Sequence, residues 1–246
     1  MSRPLIFVGC RQQMRQTALL AELNNIEIAG ILDHHYYGNT DSVGGVPVIG
    51  DERWLLDANN RQAQDWLQSC DFFPANWHNG SQQLGNGLDL ELLRLQRISI
   101  LEQSGANVIN LIHPNSSMYG LTSKYADFKM GRGILIDDMT WISIDSVEIG
   151  DYCAISLGTK ISHHVTLGKN VMFAAENYIH SCTVGSNTFF GMYSRISARH
   201  KISRLTIGDN CTVWAGAEVK KSIPDNKIYT HTNRILAKRR PLPDIE

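Results

Sequence analysis

The sequence of 246 residues has almost no charge imbalance and no long apolar run, and both absences exclude classes of protein. Lysine and arginine number 23 against 24 aspartates and glutamates, so the formal net charge of -1 provides no overall basic field for nucleic acid or an anionic membrane. No stretch approaches the roughly 18 consecutive apolar residues of a transmembrane helix, and the first residues do not resemble a signal peptide. We therefore expect a cytoplasmic protein that neither inserts into a membrane nor binds nucleic acid.

Cysteine is scarce, and the five cysteines contain no CxxC pair. Their spacing matches neither a disulfide framework nor a zinc site, so we expect reduced, buried thiols and no metal cofactor. Apolar residues make up 43% of the chain and charged residues 19%, which is a globular composition. The length suits one long domain or two modest ones.

The first part of the chain predicts a βαβ unit. Residues 4–9 form a short apolar run that ends at a glycine, residues 11–23 have apolar side chains at helical spacing, and residues 26–33 alternate and end on Asp33. Farther along, short strands are predicted at 44–50, 69–74 and 107–112, and a helix at 88–104. Residues 54–87 show no clear period beyond a helix and a loop.

The turn after the first strand is a candidate site for a phosphate. Backbone amides and a helix N-terminus can hold a phosphate there, and an acid after the second strand can reach a ribose or sugar hydroxyl. The turn has one glycine and no GxGxxG, and we expect Gln12 and Met14 to obstruct close approach of the backbone. Asp33 also suits an ordinary turn at the end of a strand. The candidate residues for binding an acceptor substrate are Gly9, Cys10, Arg11 and Asp33.

From Met130 onward, apolar residues recur with a period of six. The repeated positions are Ile149, Ile155, Ile161, Leu167 and Phe173, then, after a shift, Tyr178, Val184, Phe190, Ile196 and Ile202, and finally Ile207, Val213 and Val219. Small or branched residues follow four positions later, among them Cys153, Cys182 and Cys211. This period predicts short strands that meet at regular corners, with equivalent side chains of successive coils stacked on one another. Such an arrangement is a parallel β-helix.

With this repeat the sequence resembles the hexapeptide-repeat acyltransferases. More narrowly, it resembles the two-domain sugar N- or O-acetyltransferases related to sialic acid O-acetyltransferase and the bacillosamine-pathway N-acetyltransferase. The junction Ile112-His113-Pro114 and the exit segment 217–229 add to the likeness. The resemblance implies a Rossmann-like acceptor domain at 1–112, a left-handed parallel β-helix at 113–229 and a C-terminal tail at 230–246.

The segment from Ile179 to Gly185 matches the family's catalytic segment, which reads His, acid, Cys, any residue, aliphatic, Gly. The resemblance implies that His180 is a general base in direct transfer from acetyl-CoA, a role that suits an imidazole at neutral pH. The acid of the family is Ser181 here, so Ser181, Glu176 or a neighbouring chain are the candidates for tuning the base. The alternative is that His180 is a surface turn residue of the β-helix.

The cosubstrate leaves little trace in the sequence because related enzymes hold acetyl-CoA mainly through backbone groups, between adjacent subunits of a trimer. The resemblance points to Phe189, Ala215 and Gly216 as residues that contact CoA. Lys220, Lys221 and the basic tail 238–240 are either contacts to the CoA phosphates or solvated charge, and of these Lys220 is the candidate for binding CoA. The spacing of the repeat also indicates an extruded loop at 197–204, and the alternative is an in-line distortion of the β-helix without a role.

The resemblance implies an acetyl-CoA-dependent acyltransferase that acts on an amino or hydroxyl group of a sugar or nucleotide sugar in polysaccharide synthesis, as a homotrimer. Two alternatives remain at this point. The first domain has been repurposed for an acceptor that is not a nucleotide sugar, since Gln12 and Met14 replace two of the family's glycines. Alternatively, the protein is a trimeric scaffold without catalysis.

Overall fold

The computed structural model describes residues 3–10, 14–75, 90–118, 127–143, 145–196 and 204–237. The chain divides into two compact units, of which the first contains residues 1–111 and the second residues 112–243. The boundary expected from the sequence, after residue 112, differs from this division by one residue.

The first unit is a five-stranded sheet with helices, as the Rossmann-like expectation requires. Its elements are β1 (Leu5–Val8), α1 (Met14–Leu23), β2 (Ile28–Leu32), β3 (Ser42–Val43), β4 (Val46–Gly50), a 3-10 helix (Glu52–Leu56), α2 (Arg61–Ser69), β5 (Asp71–Pro74) and α3 (Leu90–Gln103). The strand order is β3-β4-β2-β1-β5, and only the pairing of β3 with β4 is antiparallel. All four residues of the inner strand β1 are buried, because neighbouring strands and helices cover it.

The remaining elements are short strands. They are β6 (Leu111–Ile112), β7 (Ser117–Met118), β8 (Phe128–Met130), β9 (Leu135–Ile136), β10 (Trp141–Ile142), β11 (Val147–Ile149), β12 (Ala154–Ile155), β13 (Lys160–Ile161), β14 (Val165–Leu167), β15 (Met172–Phe173), β16 (Tyr178–Ile179), β17 (Cys182–Val184), β18 (Phe189–Phe190), β19 (Arg195–Ile196), β20 (Leu205–Ile207), β21 (Thr212–Val213), β22 (Glu218–Val219), β23 (Lys227–Tyr229) and β24 (Ile235–Ala237).

These strands stack into three sheets. Sheet I has the order β22-β19-β16-β13-β10-β7, sheet II has β20-β17-β14-β11-β8, and sheet III has β24-β23-β21-β18-β15-β12-β9-β6. From β7 to β22 the chain visits sheets I, II and III in turn, and each strand from β7 to β19 pairs in parallel with the strand three places along. In the last coil, β21 pairs in parallel with β23, two places along. The predicted left-handed parallel β-helix is confirmed. Part of the predicted tail is structured as well, because β24 pairs antiparallel with β23.

The six-residue period describes the inward-facing column with one correction. Ile149, Phe173 and the other aliphatic or aromatic repeat positions line the core, and the rings of Phe173 and Phe190 stack with centroids 4.6 Å apart. The prediction that Tyr178 points inward is wrong, because Tyr178 is 44% exposed whereas Ile179 is fully buried. The period of six therefore continues to Ile179, and the shift falls after it, at the turn of His180. Ile202 lies outside the described residues.

The corners between sheets explain many of the asparagines. At the turn from sheet II to sheet III, Asn170, Asn187, Asn210 and Asn226 all have φ between 53° and 58°. Asparagine tolerates this left-handed conformation better than most residues. The side chains also bond along the stack: Asn170 Nδ2 donates to Asn187 Oδ1 at 3.0 Å, and Asn210 Nδ2 donates to Asn226 Oδ1 at 2.6 Å.

The helices among the described residues are all too short or too polar to cross a membrane.

The asparagine column gives a testable prediction about stability. Replacing Asn187 with Val forces a β-branched residue to φ 57° and removes the bond from Asn170, so we expect a loss of roughly 1–2 kcal/mol in the free energy of unfolding. Thr183→Val, in the middle of β17, is the matched control and should change it by less than about 0.5 kcal/mol. Urea unfolding measures both. Equal midpoints for the two variants would contradict this account of the corners.

Candidate functional site

His180 lies at a shortened corner of the β-helix. Two residues, His180 and Ser181, connect β16 in sheet I to β17 in sheet II. One coil earlier, three residues, 162–164, connect β13 to β14. The missing residue accounts for the shift in the repeat, and it stacks His180 directly beside His163 of the preceding coil.

Three imidazole rings form a string at this corner. The Nε2 atoms of His180 and His163 are 3.3 Å apart, and the two rings meet edge to face with centroids separated by 4.6 Å. The Nδ1 atom of His163 lies 2.7 Å from Nδ1 of His164. His180 is half-buried, whereas His163 and His164 are exposed. The string therefore leads from a sheltered ring to the solvent.

The surroundings favour a neutral His180. Desolvation by burial lowers the pKa of its imidazole below the usual value, and the neighbouring rings of His163 and His164 lower it further. A neutral imidazole has one nitrogen lone pair that can accept a proton. The corner thus presents a ring that is ready to act as a base at neutral pH.

Of the two candidates for tuning this base within the chain, one is adjacent and the other is not. Ser181 follows His180 with φ 46°, and its amide donates to the carbonyl oxygen of His163 at 3.2 Å. Glu176 lies at the corner that leads into β16, whereas His180 lies at the corner that leads out of it. The strand between them separates the two residues by roughly 13 Å, at about 3.3 Å per residue. The structure therefore does not bring Glu176 to His180.

The four predicted CoA residues lie on different parts of the β-helix. Lys220 is at the same corner as His180, two coils farther along, which corresponds to roughly 10 Å at the usual strand spacing. Its Nζ atom is 2.9 Å from Glu218 Oε2. Phe189 is half-buried on sheet III, and Ala215 and Gly216 are exposed at the corner from sheet III to sheet I. One copy of the β-helix does not bring these residues together with His180.

In the first unit, the turn after β1 is built around a buried arginine that sequence analysis missed. Arg97 on α3 is 1% exposed, and a Cβ atom at Gly9 would lie 2.5 Å from its Nη1 atom. Gly9 also has φ 78°, so both the backbone conformation and the close approach of Arg97 require glycine. The sequence signal for Arg97 is a charged residue within the apolar helix 88–104.

Asp33 and Glu52 neutralise this arginine. Asp33 Oδ2 lies 2.8 Å from Arg97 Nη2, a distance that an ion pair meets although its angles do not satisfy a hydrogen bond. The same oxygen accepts from the Cys10 amide at 3.0 Å, and Oδ1 accepts from the His35 amide at 3.0 Å. Glu52 Oε1 accepts from Arg97 Nε at 2.8 Å. Asp33 is 1% exposed, so its carboxylate is committed to the turn.

Of the remaining residues predicted at this turn, the structure describes Met14. The side chain of Met14, expected to obstruct a phosphate, is instead 1% exposed and packs into the core as the first residue of α1. Arg11 and Gln12 lie outside the described residues, as do 197–203 of the predicted loop and the basic tail 238–240. Asp33, His34 and Glu52 offer ligand atoms within 4.8 Å of one another, but the guanidinium of Arg97 already supplies the positive charge in this cluster.

The cysteines are unsuited to nucleophilic chemistry. All five are free and buried. Burial, followed by the charge of Asp33, raises the pKa of the Cys10 thiol far above its usual value. Burial also raises the pKa of Cys182, next to the histidine corner, to about 12. These thiols stay protonated at neutral pH.

The chain is similar to known acetyltransferases. It is 33% identical over 104 residues to the galactoside O-acetyltransferase of Escherichia coli, a match that covers 42% of this chain and 45% of that enzyme. The match thus spans less than half of the relative's length. No protein-family model matches the chain.

Solved structures share the complete architecture. A mutant form of perosamine N-acetyltransferase from Caulobacter crescentus, in complex with CoA and GDP-perosamine, superposes with a TM-score of 0.73 at 22% identity, over 95% of this chain and 96% of that one. WeeI from Acinetobacter baumannii gives 0.73 at 18%, over 95% and 99%. The acetyltransferase domain of PglB from Neisseria gonorrhoeae gives 0.65 at 21%, over 96% and 100%. These similarities establish the fold, an α/β unit followed by a left-handed β-helix.

The buried ion pairs of Arg97 give a prediction about pH. Burial alone would raise the pKa of Glu52, but the Arg97 guanidinium and the hydrogen bonds from Arg97 and His34 outweigh it and hold that pKa below the usual value. The ionised Glu52 carboxylate therefore stabilises the folded state at pH values above its unfolded pKa of roughly 4.3. This stabilisation is lost as the pH falls through the lower pKa of the folded state. We expect Glu52→Gln to cost about 3–5 kcal/mol at pH 7, because it leaves buried positive charge without one partner.

Hydrogen exchange of the β1 amides, corrected for the intrinsic rate at each pH, measures this stability locally. Glu22→Gln, at an exposed position of α1, is the control and should leave the exchange unchanged. The wild-type protein should lose protection on acidification, and the difference between it and Glu52→Gln should shrink. A difference that stays constant down to pH 3 would contradict the assignment.

Proposed function

We propose that this protein is an acetyl-CoA-dependent acyltransferase that moves an acetyl group onto an amino or hydroxyl group of a sugar or nucleotide sugar. The observation that carries the proposal is the half-buried His180, whose lowered pKa keeps it neutral at a corner of a left-handed β-helix. The sequence similarity to a galactoside O-acetyltransferase and the fold shared with a perosamine N-acetyltransferase support the reaction class. We assign this activity to the cytoplasm and to the synthesis of polysaccharides.

His180 is the general base of the proposed reaction. It takes the proton from the acceptor hydroxyl or amine while the oxygen or nitrogen attacks the thioester carbonyl of acetyl-CoA. The carbon–sulfur bond then breaks, CoA leaves as the thiolate, and the thiolate is protonated. Transfer is direct, since all five cysteines are buried and burial raises the pKa of the Cys10 and Cys182 thiols, so none of them forms an acyl-enzyme.

A homotrimer completes the proposed site. His180 and Lys220 share one corner, whereas Phe189, Ala215 and Gly216 lie on sheet III and at a different corner, so the contacts to acetyl-CoA require a second copy of the chain. The exposed apolar residues near sheet I support such an interface: Met139, Trp141, Leu157, Tyr178, Met192 and Tyr193. We assign Lys220, with Lys221, to the phosphates of CoA.

Residues 1–112, which contain the first unit, are the proposed acceptor domain. The fold relative solved with GDP-perosamine makes a nucleotide sugar the preferred acceptor. Gly9 and Cys10 form the turn that faces it, with Arg11 next along the chain. Asp33 supports this turn through the Cys10 amide and Arg97 instead of binding a ligand hydroxyl.

Replacing His180 with Asn tests the proposed base, because an amide of similar size cannot accept a proton at neutral pH. We expect kcat/KM to fall by roughly 100- to 10,000-fold. The measurement is thiol release from acetyl-CoA in the presence of a panel of amino and neutral nucleotide sugars. Size in solution and melting temperature should match those of the wild type. A wild-type protein that transfers acetyl to none of them would favour the scaffold interpretation, whereas a His180→Asn variant with full activity would show that His180 is not the base.

Replacing Tyr178 with Asp tests the proposed trimer. Tyr178 is 44% exposed on sheet I, and a desolvated carboxylate in its place should dissociate the trimer into monomers and abolish activity. Leu236→Asp is the matched control, since Leu236 on β24 is also 44% exposed. Sedimentation velocity reports the oligomeric state. A wild-type monomer, or a Tyr178→Asp variant that remains trimeric, would refute this interface.

A further inference from the structure

His163 contacts the His180 ring at the nitrogen through which a hydrogen-bonding partner would orient this imidazole. The residue after His180 is Ser181, which carries no carboxylate, and Glu176 lies at the other end of β16. The contact that the structure does give the His180 ring is Nε2 to Nε2 of His163, at 3.3 Å. A histidine therefore stands where an acid would be expected.

The two nitrogen contacts of His163 restrict the tautomers of the string. A neutral imidazole donates from one nitrogen and accepts at the other. His180 can act as a base through Nδ1 only if its Nε2–H donates to His163 Nε2. His163 then carries its hydrogen on Nδ1 and donates it to His164 Nδ1, 2.7 Å away. If the two hydrogen bonds ran in the opposite direction, His163 would donate to His180 Nε2. His180 would then carry its hydrogen on Nδ1, and that nitrogen could not accept a proton.

We propose that His163 is a positioning residue that fixes His180 in the tautomer with a free Nδ1 and, together with His164, replaces the missing acid. This inference rests on the proposed function. It assigns the string a role in the reaction that neither the fold nor His180 alone implies.

The string also provides a path for the proton. His180 Nδ1 takes a proton from the acceptor, Nε2–H of His180 passes to His163 Nε2, and Nδ1–H of His163 passes to His164 Nδ1. The net change is one added proton and one positive charge, which end on the exposed His164. The proton then returns along the same path, and His180 Nδ1 gives it to the CoA thiolate, so the string regains its starting tautomers.

A neutral partner has a different electrostatic effect from a carboxylate. A carboxylate beside His180 would raise the pKa of its imidazole, whereas His163 and His164 lower it. Among the described residues, the other charged groups at this corner within two coils of His180 are Asp145, Arg204, Lys220 and Lys221. Arg204 precedes β20 and donates from Nη2 to Thr166 Oγ1 at 2.9 Å. Because the base must be neutral, a lower pKa extends activity to more acidic pH.

Two variants of His163 test the proposal through the pH profile of kcat/KM for the sugar acceptor. His163→Phe keeps a ring but removes both nitrogens, and it should lower kcat by roughly 10- to 100-fold while KM for acetyl-CoA changes less than about twofold. His163→Glu supplies a carboxylate and should move the acidic limb upward by about 1 pH unit or more. His113→Gln, which removes a histidine paired with Asp138 at the start of the second unit, is the control for both.

The histidine ring nitrogens report the tautomer without turnover. In protein labelled with 15N-histidine, NMR should show His180 protonated at Nε2 in the wild type and a mixture of tautomers in His163→Phe. An unchanged tautomer, or an acidic limb that does not move in His163→Glu while His180→Asn is inactive, would overturn the role of His163. Activity of His180→Asn would instead overturn the proposed function, and the NMR result would still decide whether the string orders the ring.

Discussion

Parallel pairing between successive coils is the constraint on which the second unit depends. From β7 to β19, each strand bonds to the strand three places along, so corner residues of neighbouring coils lie above one another. Positions at one corner therefore become a column, and the residue type repeats where the conformation demands it. The left-handed asparagines are one such column, and the histidines at the corner from sheet I to sheet II are another. A single missing residue at His180 changes what that column brings together.

The first unit depends on a different interaction, the buried charge of Arg97. An isolated guanidinium in a protein interior is strongly destabilising, and Asp33 and Glu52 compensate it only because both carboxylates contact it directly. The same carboxylates bind backbone amides of Cys10, His34 and His35, so the turn after β1 and the segment after β2 are held by one network. The network fixes the shape of the turn and occupies both carboxylates.

Much of this architecture could be read from the sequence because period and spacing encode it. The βαβ start, the six-residue repeat and the special position of His180 each left a local pattern. The prediction that Tyr178 points inward was wrong because the shift in the repeat was placed at the corner before β16. The shift falls at the corner after β16, and Ile179 continues the period of six. His163 and Arg97 were missed for a common reason: their partners are distant in the chain, 17 residues for His180 and 45 for Glu52. An alignment of the coils by their corners, instead of their inward residues, would have placed His163 beside His180.

The central claim is that His180 meets the thioester of acetyl-CoA at a boundary between two copies of the chain. A crystal structure of the protein with acetyl-CoA tests it most directly. We expect the acetyl carbonyl carbon to lie where a nucleophile atom hydrogen-bonded to His180 Nδ1, about 3 Å from that nitrogen, can attack it. The CoA chain should contact a neighbouring copy. Acetyl-CoA bound away from this corner, or a His180 ring without access to any such boundary, would contradict the account.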